Sequence, residues 1–143
     1  MEDFREKLND RKPIKCFGQN LVTSVCFNRI NVAPYSLSIQ ASEHHYSSPR
    51  ETIDKYEYTS MEIAIFDNNN DDFVNVAEDT FFNEWDRLED FLEFFNGQIG
   101  AYVPIDIIQS LYEYIISNTQ SRIDKIKEKK TKSFNTIFLN TLD

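Results

Sequence analysis

The chain has 143 residues and a formal net charge of −9, from 24 acidic and 15 basic side chains. Apolar residues make up 41% and aromatics 14%, enough for a packed core, and 3 Gly and 4 Pro exclude a linker or a low-complexity protein. A negative field of this size repels nucleic acid and anionic membrane surfaces and favours basic partners, so direct DNA binding is not expected.

The length is that of a single domain, 1–143. Met1–Lys12 is highly charged, with Phe4 and Leu8 four apart. That spacing predicts a short N-terminal helix with one weak apolar edge, stopped by Pro13. Leu21–Phe27 (LVTSVCF) is rich in β-branched and aromatic residues and predicts a strand. Asn28–Pro34 reads as a turn. Tyr35–Ala41 (YSLSIQA) alternates, with Tyr35, Leu37, Ile39 and Ala41 on one face, and is expected to pair with Leu21–Phe27 as a hairpin. Ser42–Thr59 reads as a long polar loop. Thr59–Phe66 (TSMEIAIF) alternates again and predicts a third strand; Phe73–Val76 follows the polar turn Asp67–Asp72 as a short fourth. The sheet is thus expected within 21–76.

The period then changes. Phe81 or Phe82, Trp85, Leu88, Phe91, Leu92 and Phe95 suggest an amphipathic helix ended by Asn96-Gly97, with Gly97 in the left-handed region. Tyr102 and Val103 suggest a short extended piece. Pro104–Ser117 reads as a helix opened by proline, with Ile105, Ile108, Leu111, Tyr112 and Ile115 as its buried stripe. Ser121–Lys132 is basic and continues the helical region 81–132. The remainder, 133–143, reads as an edge strand or a docking tail. Strands first and helices later predict an α+β fold: a small antiparallel sheet of three or four strands, packed by helices on one face.

Most of the acidity is local. Asp67, Asp71, Asp72, Glu78, Asp79, Glu84, Asp86, Glu89, Asp90 and Glu93 share a segment whose only basic residue is Arg87. Like charges three and four residues apart oppose one another on a helix by a few tenths of a kcal/mol per pair, and a sequence shaped by stability alone intersperses lysines. These ten residues are the candidate partner-binding surface, set against a plainly solvated helix face. Phe81, Phe82 and Trp85 are its candidate anchors if exposed, and core residues otherwise. Lys125–Lys132, with Arg122, is the single basic cluster, read as a solvated lysine run that complements a helix C-terminus, with an intramolecular or dimer contact to the acidic segment or a weak nucleic-acid contact as the alternatives.

Asp67, Asn69, Asp71 and Glu78 match positions 1, 3, 5 and 12 of a calcium loop, but Asp72 stands where that loop requires glycine, so a polar hairpin turn is the stronger reading. His44 and His45 adjoin a strand, where neighbours point to opposite sides, and no zinc-binding spacing accompanies them. No metal site and no cofactor are expected. Neither GxSxG, a glycine-rich phosphate loop nor CxxC occurs, so the chain is not expected to be an enzyme. The two cysteines, Cys16 and Cys26, make no disulfide framework, and Cys26 reads as a small buried hydrophobe. Met1–Asp10 is charged throughout, which predicts no signal peptide. No apolar run approaches the ~20 residues that span a bilayer. A reducing, intracellular location is the expectation.

Three stretches, YSLSIQASEHHYSSPR (Tyr35–Arg50), MEIAIFD (Met61–Asp67) and GAYVPIDII (Gly100–Ile108), resemble small uncharacterised proteins of phages and mobile elements of low-GC bacteria. The resemblance spans Tyr35–Ile116, and the acidic segment is an addition to it. It implies an anti-defence protein in the host cytoplasm, an anti-CRISPR inhibitor among the options. Such an inhibitor would bind a Cas nuclease or its guide-RNA complex and block nucleic-acid binding or cleavage. A nuclease of that kind reads DNA through Arg and Lys contacts, for which a folded row of carboxylates competes. The alternatives are a phage structural or regulatory interaction module and a calcium-binding protein centred on Asp67–Glu78.

Overall fold

The structure is a computed structural model, and the residues it describes are 1–9, 12–16 and 22–141. The fold is α+β. A four-stranded antiparallel sheet runs in the order β3 (Ile30–Val32), β4 (Tyr35–Gln40), β5 (Ser60–Asp67) and β6 (Ile99–Pro104). A separate antiparallel hairpin joins β1 (Lys12–Cys16) to β2 (Val22–Cys26). Two α-helices follow, α1 (Leu88–Leu92) and α2 (Ile105–Thr141).

Alternation in β4 and β5 sets the layers. Leu37, Ile39, Ile63 and Ile65 are fully buried on one face, while Ser36, Ser38, Glu62, Ala64 and Phe66 point the other way and are half-buried. The register Leu37↔Ile65 and Ile39↔Ile63 stacks the apolar residues side by side. The first turns of α2 cover this face with Ile107, Ile108, Leu111, Tyr112 and Ile115, all at most 4% exposed. Gly100 on β6 lies where a Cβ would come within 2.9 Å of the Ile63 Cγ2 and 2.8 Å of the Val103 Cγ2, so only hydrogen fits that position.

Several sequence expectations need correction. The N-terminal helix over 1–12 shrinks to one 3-10 turn, Phe4–Lys7, capped by the Asp3 carboxylate accepting from Arg5 N–H. Phe4 and Leu8 are nevertheless core residues, because Phe4 N–H donates to Gln109 Oε1 (2.9 Å) and pins the segment on α2. Pro13 does not stop a helix; it sits in β1, where a two-stranded hairpin leaves each strand an edge that tolerates proline. The strand at Val22–Cys26 pairs with β1, not with Tyr35–Gln40. The partner of β4 is β3, three residues inside the expected turn, whose Ile30 and Val32 are buried about an exposed Asn31. The fourth strand of the sheet is β6, while Phe73 makes only an isolated bridge to Phe66.

The expected helix over 81–95 is also absent as such. After a 3-10 turn at Thr80–Phe82 the chain continues through i→i+3 bonds, Trp85 N–H to Phe82 C=O and Leu88 N–H to Trp85 C=O, before the five residues of α1. The apolar residues obey that period: Phe82, Trp85, Leu88, Phe91 and Phe94 recur every third residue, the repeat of a 3-10 turn. Phe82, Trp85 and Phe91 are 0–4% exposed, so the candidate anchors Phe82 and Trp85 are core, and Phe81 is half-buried against Tyr35 and Tyr114.

At the C-terminal end, α2 does not yield to an edge strand or tail. It runs 37 residues, about 55 Å, because neither Gly nor Pro follows Pro104. On α2, Asp124 and 127–131 are exposed, so Lys127, Lys129 and Lys130 of the basic run face solvent. Among the described residues, no helix is long and apolar enough to cross a membrane.

Candidate functional site

The ten acidic residues lie on turns and short helical pieces, and of Asp86, Glu89, Asp90 and Glu93, expected on one helix face, only Glu89 and Asp90 fall within α1. Asp67 and Asp79 are half-buried and the other eight are exposed. Four carboxylates have structural work. Asp67 accepts from Asn69 N–H (2.8 Å), and Asp71, in the left-handed region at φ 58°, binds Arg29 at 2.6 Å. Asp79 caps the 3-10 turn through Phe81 N–H and accepts from the Tyr35 hydroxyl at 2.7 Å. Asp90 binds Arg87 at 2.7 Å, and Arg87 also reaches Asp106 at 3.4 Å. The last two acids hold the Arg87 guanidinium more firmly protonated than usual. Asp72, Glu78, Glu84, Asp86, Glu89 and Glu93 form no ion pair among the described residues.

Asp67, Asp72, Glu78 and Asp79 line a shallow depression of about 330 Å³ with Asn70, Phe73, Val74 and Asn75. Phe73 is 44% exposed there, one ring face turned to Phe66 with centroids 4.7 Å apart. An exposed aromatic ring beside carboxylates can meet a cation through both cation–π contact and charge. The calcium-loop residues form a hairpin turn, as the polar-turn reading expects: Asp71 N–H donates to Asp67 C=O (2.8 Å) and Asp67 N–H to Asp72 C=O (3.0 Å). Among the described residues, no three of His, Cys, Asp and Glu are grouped to hold a metal ion.

Phe73 also borders a second hollow, a groove of about 490 Å³ on the outer face of the sheet. Its walls include Phe66, Ala64 and Ser38 of the sheet, Ile99 and Arg29, the last with its guanidinium 3.8 Å from the Phe66 ring centroid. Gln40 clips the groove's far wall to the sheet: its Oε1 accepts from Phe27 N–H (2.7 Å) and its Nε2 donates to Phe27 C=O (2.9 Å). Glu62 stands in the same groove, and burial raises its carboxyl above the usual range, partly offset by Tyr46 N–H and by nearby Arg50.

Cys26 and His45 complete the groove lining, and sequence reasoning missed their pairing. Cys26 is half-buried rather than sealed in the core. Its Sγ lies 3.6 Å from His45 Nε2, and His45 Nδ1 lies 2.7 Å from Ser42 Oγ. Cys26 is a thiol. The β1–β2 register sets Cys26 opposite Lys12 and Cys16 opposite Val22, four residue steps or about 13 Å apart, beyond disulfide reach. The histidine sits 19 positions from the cysteine, so no local motif announces the pair. His44 is exposed and lies beside Glu43 at 3.4 Å.

Beside the groove the three stretches quoted for the resemblance come together. Tyr102 N–H of the third donates to Tyr46 C=O of the first (3.0 Å), their rings lie 5.8 Å apart, and the Tyr46 N–H bonds to Glu62 of the second. Tyr102 takes a positive φ of 55° to make this contact. No family model, curated protein or solved structure matches the chain.

Proposed function

We propose that the chain acts by binding a protein with a basic surface, using the acidic segment Asp67–Glu93 as the docking face and Phe73 as an aromatic anchor within it. The observation that carries this reading is the exposed Phe73 set among Asp67, Asp72, Glu78 and Asp79. Six further carboxylate or carboxylate-bearing turns extend the negative field around it, with Arg87 the only cation of the segment. A rim of like charges speeds encounter with an oppositely charged partner and makes association salt-sensitive.

The finer proposal is that the partner is a nuclease of a bacterial defence system, a Cas nuclease or its guide-RNA complex. The support for it is the resemblance of Tyr35–Arg50, Met61–Asp67 and Gly100–Ile108 to phage-encoded proteins, joined to a surface suited to arginine- and lysine-rich channels. On this proposal the chain acts in the host cytoplasm by occupying the nuclease, without catalysis. The test is phage plating on a host carrying an active CRISPR nuclease, with the chain expressed. Plating is expected to rise several orders of magnitude with the native chain and to return to background with Asp72→Lys/Glu78→Lys/Glu89→Lys/Glu93→Lys. Equal plating with and without the native chain overturns the nuclease assignment. Equal rescue by native chain and variant overturns the acidic face.

A further inference from the structure

The Cys26–His45–Ser42 arrangement is chemistry that binding through the acidic face does not use. Side chains from two elements meet at the sheet-face groove: Cys26 from the end of β2 and His45 from the loop after β4, with Ser42 of the same loop behind the imidazole. The loop is built to hold the imidazole. Ser42 is fully buried; its Oγ accepts from His44 N–H (3.0 Å), and its C=O accepts from His45 N–H (3.3 Å). Ser47, 1% exposed, has its hydroxyl within reach of the same Ser42 C=O (3.3 Å) and of the Pro49 C=O (3.1 Å). Ser42 Oγ lies 2.7 Å from His45 Nδ1, placed to accept from Nδ1–H in the tautomer that carries the proton there. In that tautomer Nε2 faces the thiol as a base at 3.6 Å. A nucleophile, a base within reach and a third group orienting the base is the arrangement that activates thiols.

We propose that Cys26 is an activated thiol that undergoes exchange with low-molecular-weight disulfides entering the groove, forming a mixed disulfide. His45 Nε2 takes the Cys26 proton, and the thiolate Sγ attacks one sulfur of the disulfide RS–SR. The Cys26–SR bond forms as the S–S bond breaks, and the electron pair leaves on RS⁻, which takes the proton back from His45 Nε2 as RSH. The small disulfide is the oxidant and is reduced to one thiol, while Cys26 is oxidised to the mixed disulfide. His45 is a base for this step and Ser42 a positioning residue. The groove of about 490 Å³ gives the R group room beside Phe66, Phe73 and Ile99. Among the described residues, the charged groups on the groove lining beside the thiol are Arg29 and Glu62. Because Phe73 borders both hollows, an adduct in the groove would also alter the acidic docking face.

The experiment uses the full chain carrying Cys16→Ser, so that Cys26 is its one thiol. Adduct formation with hydroxyethyl disulfide, an uncharged probe, is followed by intact mass across a pH series. The expected result is a rate at about pH 6 at least ~10-fold above that of a small thiol with the ordinary value of about 8.5, because thiolate persists there. His45→Gln is expected to return the rate and its pH profile to those of the small thiol. Ser42→Ala is expected to fall between the two. A Cys16→Ser profile that follows the ordinary thiol overturns the proposal, as does a Cys16→Ser profile unchanged when His45→Gln is added to the folded chain. Where His45→Gln does not fold, thiolate ultraviolet absorbance of the His45-containing chain against pH decides. Absorbance retained below pH 7 supports the pair, and absorbance appearing only near the ordinary thiol range overturns it.

Discussion

The two faces of the sheet are made by the same strands and do different things. Leu37, Ile39, Ile63 and Ile65 point inward and are fully buried under α2 and the aromatic segment Thr80–Phe95. Their neighbours one residue along, Ser38, Gln40, Glu62, Ala64 and Phe66, line an open groove with polar and titratable groups. A strand cannot exchange one set for the other without a register slip that inverts both faces. The inner face therefore bears stability, and the outer face is where groups that cost stability, such as a half-buried carboxyl, are carried. The acidic segment extends this division: Phe82, Trp85 and Phe91 go inward, while Phe73 and most of the carboxylates go out.

Substitutions graded from inside to outside test the division. Phe91→Ala empties a fully buried site against Trp85 and Phe95, with ring centroids 5.7 and 5.1 Å away, and is expected to cost about 3–5 kcal/mol in denaturant unfolding. A loss under ~1 kcal/mol would mean the segment is not core. Gln40→Ala strips both bonds from the Phe27 backbone and is expected to cost about 1–3 kcal/mol by the same measurement. It would also loosen the groove wall that holds Cys26.

Glu62→Gln is expected to act in the opposite direction. Burial raises the Glu62 carboxyl, so the folded chain holds that proton to higher pH than the unfolded chain. Stability contributed by the protonated form is complete below the unfolded value and is lost as pH rises through the raised folded value. Glutamine keeps an acceptor for Tyr46 N–H without the charge. Melting temperatures of Glu62→Gln and the native chain should coincide in acid and separate above the ordinary carboxylate range, with Glu62→Gln a few degrees higher at neutral pH. Parallel curves at all pH values would place Glu62 in water.

Where local pattern and tertiary environment agreed, the elements could be read from the residues. Tyr35–Gln40 and Ser60–Asp67 alternate because one face is buried and one is not, and the stripe Ile108, Leu111, Tyr112, Ile115 repeats with the helix because the sheet lies beneath it. The errors fall where tertiary contacts override local preference. Ile30–Val32 is too short to register against Asn and Pro, yet pairing with β4 makes it a strand. The aromatics of 81–95 fit both a helix and a 3-10 repeat, and the Asp79 cap with the Trp85–Ser110 and Tyr114–Phe81 bonds selects the tighter turns. The acidic residues were legible as a cluster in sequence, but not the split between those engaged by Arg29, Arg87 and Tyr35 and those left facing solvent. The Cys26–His45 pair was not legible, because it exists only once the hairpin end and the loop after β4 meet.

The claim that the acidic face is there for a partner and not for the fold is tested most directly by measuring melting temperature and binding on one variant, Asp72→Lys/Glu78→Lys/Glu89→Lys/Glu93→Lys. Exposed charges without ion partners are expected to shift stability by no more than about 0.5 kcal/mol each. The account predicts that the variant melts at or above the native temperature, while its affinity for immobilised polyarginine falls at least ~10-fold at low salt and the native salt dependence is lost. Unchanged affinity in a variant that melts normally would contradict it.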